Sequence, residues 1–110
     1  MKYEVQENCL TIFLPGELDH HNAEEIRKRS DYLIDQNHIR YVIFDFTDTT
    51  FMDSSGIGLV MGRYKICESM GASLEIHGLS RHAYKVMCLA GLQNLAVLKK
   101  KKEADKSETA

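Results

Sequence analysis

The chain has 110 residues, which is enough for one domain with a single hydrophobic core. Its 14 basic and 16 acidic residues give a formal net charge of −2, which argues against a nucleic-acid-binding protein. The three cysteines lie in apolar patterns, as is typical of reduced thiols in a cytoplasmic protein. The first residues lack the apolar core of a signal peptide, and no apolar run approaches the ~20 residues of a membrane span. We therefore expect a cytoplasmic protein that is not attached to a membrane.

The first third of the chain predicts a hairpin followed by a helix. Apolar residues alternate loosely over residues 3–14, and a turn at residues 7–8 divides them into two strands. Helical spacing of the apolar residues then predicts a helix from Asn22 to Asn37. Asn22 forms a capping pair with Glu25 three residues later, and Asn37 suits a left-handed helix end.

The rest of the chain predicts an alternation of strands and helices. On the longer of the two helices, we expect Arg63, Lys65 and Glu68 to face solvent. Glycine or serine stands at the predicted helix boundaries, where these residues commonly cap or stop a helix. The predicted elements are a central strand at 41–46, a helix at 54–70, a strand at 73–76, a helix at 80–91 and a strand at 95–98.

This order of elements predicts an α/β fold. An initial hairpin followed by strand–helix–strand units favours a mixed, mostly parallel sheet of about five strands, with three main helices packed on it. We assign residues 1–98 to one domain, because no repeat or internal boundary interrupts them. Residues 99–110 contain no apolar side chain larger than alanine, so we expect a polar, disordered tail.

The most informative segment is the transition from strand to helix at residues 51–58. Asp53, Ser54 and Ser55 stand where the second predicted helix begins, and each of them is a good helix cap. Unpaired backbone N–H groups and the helix dipole also make such a position suitable for a phosphate. The sequence of this segment is therefore compatible with either role, helix capping or phosphate acceptance. Three glycines at 56, 58 and 62 indicate either close packing of this helix or a bare surface for a partner.

Two sequence blocks resemble the anti-sigma factor antagonists of the STAS domain class. The first block is Gly-Glu-Leu-Asp-His-His-Asn-Ala-Glu at residues 16–24, and the second is Phe-Met-Asp-Ser-Ser-Gly-Ile-Gly at residues 51–58. The resemblance covers residue 3 to about residue 98. The pair of histidines and the close match of the second block favour the branch of the family that acts in sporulation. Members of that branch continue into a further C-terminal helix, which the polar residues 99–110 do not supply.

The resemblance implies a role in partner switching rather than catalysis. In this family, the unphosphorylated antagonist binds an anti-sigma factor that is also a serine kinase, and this releases the sigma factor. Phosphorylation on a serine dissociates the complex, and a serine phosphatase restores the active form. The acceptor maps to Ser54, with Ser55 as second choice. The remaining partner-binding residues implied are Asp19, His20, His21, Asp53, Ser55, Gly56 and Ile57, together with Ser54 itself. No cofactor or metal is expected on this chain, because ATP and Mg²⁺ belong to the kinase.

Other functions remain as alternatives. One is a STAS antagonist of a stress-response system. A serine hydrolase would use Ser54 as its nucleophile and one of His20, His77 or His82 as base, but the glycine of the esterase elbow is absent. A nucleotide-binding module would need a Gly-Lys loop, which this sequence does not contain. A metal site at His20 and His21 would need further ligands at metal-binding spacing, and the sequence offers none. Asp53 caps the helix, or it orients the acceptor hydroxyl for the kinase, or it repels a bound phosphate and so favours release of the partner.

Overall fold

The structure is a computed structural model, and it describes residues 1–102. The strands of this part of the chain are β1 (Lys2–Gln6), β2 (Cys9–Phe13), β3 (Glu17–Leu18), β4 (Tyr41–Asp45), β5 (Phe51–Met52), β6 (Ser73–Leu79) and β7 (Val97–Lys100). The helices are α1 (His20–Gln36), α2 (Ser54–Met70) and α3 (Arg81–Leu89), followed by a single 3₁₀ turn at Leu92–Asn94.

The central sheet has five strands in the order β1-β2-β4-β6-β7. β1 and β2 form an antiparallel hairpin whose turn contains Glu7 at a φ of 57°. The remaining neighbours in the sheet are parallel, because a helix connects each of them to the next. The predicted α/β fold class, with a mixed sheet of five strands and three helices, is therefore confirmed.

The hydrophobic core lies on one face of this sheet. Residues that are paired across β2, β4 and β6 point to the same face, and one such row consists of Ile12, Phe44 and Ile76. All three are fully buried. The three helices contact these strands, and each contributes apolar side chains to the same core.

The first helix begins at His20, two residues before its predicted start at Asn22. Asp19 caps it, and Asn22 is the third helical residue rather than the cap. At the other end, Asn37 has a φ of −115°, and the left-handed residue is its neighbour His38 at 51°. The side chain of Asn37 instead donates a hydrogen bond to the carbonyl of Leu33, at 2.8 Å.

The prediction that Arg63 faces solvent is wrong. Arg63 is only 5% exposed, because it lies on the face of α2 that packs against α1. Its Nε atom is 3.0 Å from Oδ1 of Asp31 on α1, close enough for an ion pair but without hydrogen-bond alignment. The buried positions of α2 are Gly56, Leu59, Val60, Arg63 and Cys67. A charged residue therefore occupies a buried position, which the pattern of hydrophobic residues could not predict.

The last two strands end later than predicted, and β7 also begins two residues later than expected, at Val97. β6 continues through Gly78, at a φ of 74°, to Leu79. β7 ends at Lys100, two residues beyond the boundary expected at residue 98, because an edge strand can hold lysines in solvent. Residues 103–110, the rest of the predicted tail, lie outside the described residues.

Candidate functional site

Two helix starts lie side by side at one edge of the molecule. The short strands β3 and β5 pair in parallel, with Leu18 opposite Met52. Each strand is followed at once by an aspartate and then by a helix. The backbone N–H of Asp53 donates to the carbonyl of Leu18, at 3.2 Å. This pairing brings the segment around Asp19 next to the segment around Ser54, two regions that are distant in sequence.

The start of α1 is closed by a reciprocal cap. Oδ1 of Asp19 accepts a hydrogen bond from the backbone N–H of Asn22, at 3.0 Å. Oδ1 of Asn22 in turn accepts from the backbone N–H of Asp19, at 2.9 Å. The amide nitrogen of the Asn22 side chain also donates to the carbonyl of Glu17, at 2.6 Å. These bonds satisfy polar groups at the helix start from within the chain.

The start of α2 is more open. Oδ1 of Asp53 accepts a hydrogen bond from the backbone N–H of Ser55, at 2.8 Å, which confirms Asp53 as the helix cap. The third helical residue is Gly56, which has no side chain to complete a reciprocal cap. Ser54 is exposed, whereas Ser55 is half-buried. The two adjacent serines therefore differ in their access to solvent.

The three glycines of α2 have different roles. A Cβ atom added at Gly56 would lie 2.5 Å from Sδ of Met52 and 3.2 Å from Cδ2 of Leu18, so Gly56 is required for close packing. A Cβ atom at Gly58 or Gly62 would meet nothing within 4 Å. Close packing therefore explains Gly56, and the two other glycines leave a bare helix surface.

A groove with a volume of about 240 Å³ lies between the starts of α2 and α3, on the side of Ser54. Its lining combines apolar side chains from both helices and from the segment before α2 with several hydroxyl groups. His82, in the first turn of α3, also lines it. The apolar lining residues are Phe46, Phe51, Met52, Ile57, Ala83 and Val86. Ser54 is thus at the edge of a largely apolar groove that sequence patterns did not indicate.

A smaller groove of about 180 Å³ lies on the other side of the α2 start, between α1 and α2. It includes Ser55, Gly58 and His20. His21 is exposed in the first turn of α1 and lines neither this groove nor the one beside Ser54. The structure therefore places the other predicted site residues around the two adjacent helix starts, with His21 at the periphery.

Two features of this region could not be found from the sequence. One is the groove itself, whose α3 side is formed by residues after Ser80. The other is the ion pair of Arg63 with Asp31, which joins α1 to α2. Burial lowers the pKa of Arg63, and the nearby carboxylate of Asp31 acts in the opposite direction. The one sequence signal for this region was Ser80, which stands directly after a strand and therefore indicated the start of α3.

Within residues 1–102, no cluster of three or more histidine, cysteine, aspartate or glutamate side chains could hold a metal ion. Over the same range, the hydroxyl of Ser54 makes no hydrogen bond to a histidine, and Nε2 of His77 contacts Glu75 at 2.8 Å. No helix among these residues is long and apolar enough to cross a membrane.

Comparisons with known proteins agree with this architecture. The STAS domain family matches residues 1–104. An anti-sigma F factor antagonist of Lysinibacillus sphaericus is 36% identical over 88 residues, which are 80% of this chain and 75% of the relative. An anti-sigma-B factor antagonist of Bacillus subtilis is 27% identical over 97 residues, covering 88% of this chain and 87% of the relative.

Two solved structures of one protein are also similar. The anti-sigma factor antagonist SpoIIAA in its unphosphorylated form has a TM-score of 0.81 and 32% identity, over 98% of this chain and 93% of that one. SpoIIAA of Bacillus in its phosphorylated form has a TM-score of 0.75 and 32% identity, over 98% and 96%. The chain belongs to the STAS domain family and, within it, to the anti-sigma factor antagonists.

Proposed function

We propose that this antagonist binds an anti-sigma factor with serine kinase activity, that it thereby releases a sporulation sigma factor, and that phosphorylation of Ser54 ends the binding. The observation that carries the proposal is the position of Ser54. It is the exposed first residue of α2 and lines a largely apolar groove. A partner seated on this groove would be in contact with the acceptor hydroxyl.

Ser54 is a better acceptor than Ser55. A kinase must surround the hydroxyl that it modifies, and the half-buried Ser55 faces the groove between α1 and α2. The backbone N–H of Ser55 is also held by Asp53. Ser54 can be reached without disturbing the cap or separating the helices.

Phosphorylation would change the surface more than the fold. A phosphoserine carries a charge of roughly −1.5 to −2, and the positive end of the helix dipole favours such a charge at the first residue of α2. A partner seated on the apolar groove would have to bury that charge. A loss of affinity of about 10²–10³-fold, equal to a few kcal/mol, would be sufficient for a switch.

The relatives support this assignment in different degrees. SpoIIAA, which shares 32% of its residues with this chain, exists in both an unphosphorylated and a phosphorylated form. The Lysinibacillus sphaericus relative named for sigma F is 36% identical to this chain, and the Bacillus subtilis relative named for sigma B is 27% identical. We therefore favour the sigma-F pathway, and a sigma-B-type stress pathway is the second candidate. A serine phosphatase that removes the phosphate completes the proposal, and no reaction is assigned to this chain.

The proposal is tested by incubating the protein with the anti-sigma factor of the same bacterium and Mg-ATP. Mass spectrometry should locate a single phosphate on Ser54, and the Ser54→Ala variant should remain unmodified. Ser55→Ala is the matched control and should be phosphorylated. In calorimetry, Ser54→Glu should bind the anti-sigma factor more weakly than the wild type does. Phosphate on Ser55 alone would contradict the choice of site, and absence of binding by the unmodified protein would contradict the function.

A further inference from the structure

The edge of the sheet that carries the Ser54 groove also carries a group of positive charges. Parallel strands end at the same edge, so the end of β7 lies beside the start of α3. Lys100 is paired with Leu79 at the end of β6, and the backbone N–H of Lys101 donates to the carbonyl of Leu79 at 2.7 Å. The Nζ atom of Lys100 lies 4.8 Å from the centre of the Tyr84 ring on α3. The side chain of Lys100 is thus held on the Tyr84 side of α3, and the backbone of Lys101 is held at the end of β6.

The exposed side of α3 continues this basic region. His82 and Lys85 are both exposed and are separated by three residues, so they are neighbours on the helix surface. His82 also lines the groove beside Ser54. We call the surface formed by His82, Lys85, Lys100, Lys101 and Lys102 the basic rim. It is a local concentration of positive charge in a chain whose net charge is −2.

Exposed apolar side chains lie at both ends of the groove surface. Phe51, on the α2 side, is 53% exposed, and Leu89, in the last turn of α3, is 80% exposed. Val86 lines the groove and lies three residues before Leu89, so it connects the groove to that end of α3. Apolar surface and positive charge therefore adjoin along α3.

Three aspartates also lie at this edge, and Oδ1 of Asp45, at the end of β4, accepts a hydrogen bond from a backbone N–H. Asp53 lines the groove, but its side chain caps α2. Asp48 is exposed in the segment between β4 and β5, with its backbone near Gly16. Two of these three carboxylates are therefore already hydrogen-bonded within the chain, whereas Lys85 on α3 is exposed.

We propose that the groove and the basic rim together bind an acidic segment of the partner protein that carries an apolar side chain. The apolar side chain would fill the groove, and the carboxylates beside it would lie over the basic rim. This inference rests on the proposed function, since it describes the partner surface that binds next to Ser54. It adds a second effect of phosphorylation, because a phosphate on Ser54 would place negative charge where the acidic segment must approach.

The first test uses a model ligand and does not depend on the anti-sigma factor. The ¹⁵N-labelled full chain is titrated with a short capped peptide in which glutamates surround one leucine. A peptide of the same length, with lysines in place of the glutamates, is the control. We expect the acidic peptide to shift the amide signals of residues 82–89, 99–102 and the groove, and this effect should weaken as salt is added. Equal shifts with both peptides, or shifts confined to other surfaces, would overturn the inference.

The second test uses the anti-sigma factor itself. The double variant Lys85→Glu/Lys101→Glu reverses two charges of the basic rim, and we expect about a tenfold loss of affinity at low salt. Lys28→Glu is the matched control on the exposed side of α1 and should bind within about twofold of the wild type. If the wild type and the double variant bind equally, the inference is wrong while the proposed function stands. Failure of the wild type to bind contradicts the proposed function, and the peptide titration then decides on the basic rim.

Discussion

The starts of α1 and α2 are built from the same parts but differ in what they leave open. Each follows a two-residue parallel strand, and each is capped by an aspartate, Asp19 or Asp53. At α1, Asn22 completes the cap from the third helical position. At α2, that position is the buried Gly56, and the exposed Ser54 lies beside a groove.

The difference shows how one structural motif can serve both stability and function. A side chain at the third helical position closes the helix start and removes it from use by a ligand. A glycine at the same position allows the helix to pack tightly on Met52, and it leaves the first turn without a second side-chain cap. We therefore expect the start of α1 to contribute more to stability and the start of α2 to carry the phosphorylation site, and partner binding by Asp19, His20 and His21 stays a prediction.

The largest expected effect comes from breaking the contact that holds the two helices together. In Asp31→Ala, the nearly buried Arg63 loses its ion-pair partner. Because the side chain of Asp31 is 32% exposed, we expect a loss of about 2 kcal/mol in the free energy of unfolding, less than for a fully buried pair. The double variant Asp31→Ala/Arg63→Met should recover part of this loss. Urea denaturation followed by circular dichroism gives the free energy of unfolding of Asp31→Ala, Arg63→Met and the double variant. A loss in the double variant equal to the sum of the two single losses would contradict a direct pairing.

Removing the two caps tests the comparison itself. Asp19→Ala disrupts a reciprocal cap and should lower the free energy of unfolding by about 1–2 kcal/mol, whereas Asp53→Ala removes one side-chain bond and should lower it by about 1 kcal/mol or less. Thermal denaturation of both variants under the same conditions gives the order. A larger loss at Asp53 would reverse our view of the two helix starts.

The conservative variant Asp53→Asn separates the cap from any other role of this residue. Asparagine caps helices about as well as aspartate, so the stability should be retained. If the rate of phosphorylation of Ser54 also remains unchanged, capping is the role of Asp53. A decrease in that rate at unchanged stability would show that its carboxylate assists the acceptor hydroxyl.

Two glycine variants test the packing at the start of α2. Gly58→Ala meets nothing within 4 Å and should raise the free energy of unfolding by up to about 1 kcal/mol, because alanine is the better helix former. Gly56→Ala has the same intrinsic advantage but crowds Met52 and Leu18, so we expect a net loss of about 1 kcal/mol. Chemical denaturation of the pair should give opposite signs, and stabilisation by both substitutions would show that Met52 moves aside freely.

The smallest effect concerns Cys67, a buried residue in the last turns of α2. Burial raises the pKa of the Cys67 thiol to about 11, so this thiol stays protonated in the folded protein at pH 8. Its contribution to stability is complete below the pKa of about 8.5 in the unfolded chain and declines as the pH rises from there towards 11. Labelling with iodoacetamide at pH 8 should therefore modify Cys67 more slowly than the half-buried Cys9 and Cys88. Equal rates would show that α2 opens readily.

The sequence by itself determined the kinds of elements and their order, because hydrophobic period, caps and turn residues are local signals. It also indicated the serines at 54 and 55 and the aspartate before them, since helix starts have their own residue preferences. It placed the cap of α1 at Asn22 instead of Asp19, because both residue types are good caps and only the backbone shows which one precedes the first turn.

Only the tertiary structure decided which surfaces these elements share. The pairing of β3 with β5 involves two residues on each side, too few for an alternating pattern to be recognised. That pairing brings Asp19 next to Asp53, and the parallel sheet brings the start of α3 to the same edge. The burial of Arg63 likewise depends on Asp31, which lies 32 positions earlier on another helix. A groove between helix starts and an ion pair between helices are properties of packing, and no local pattern encodes them.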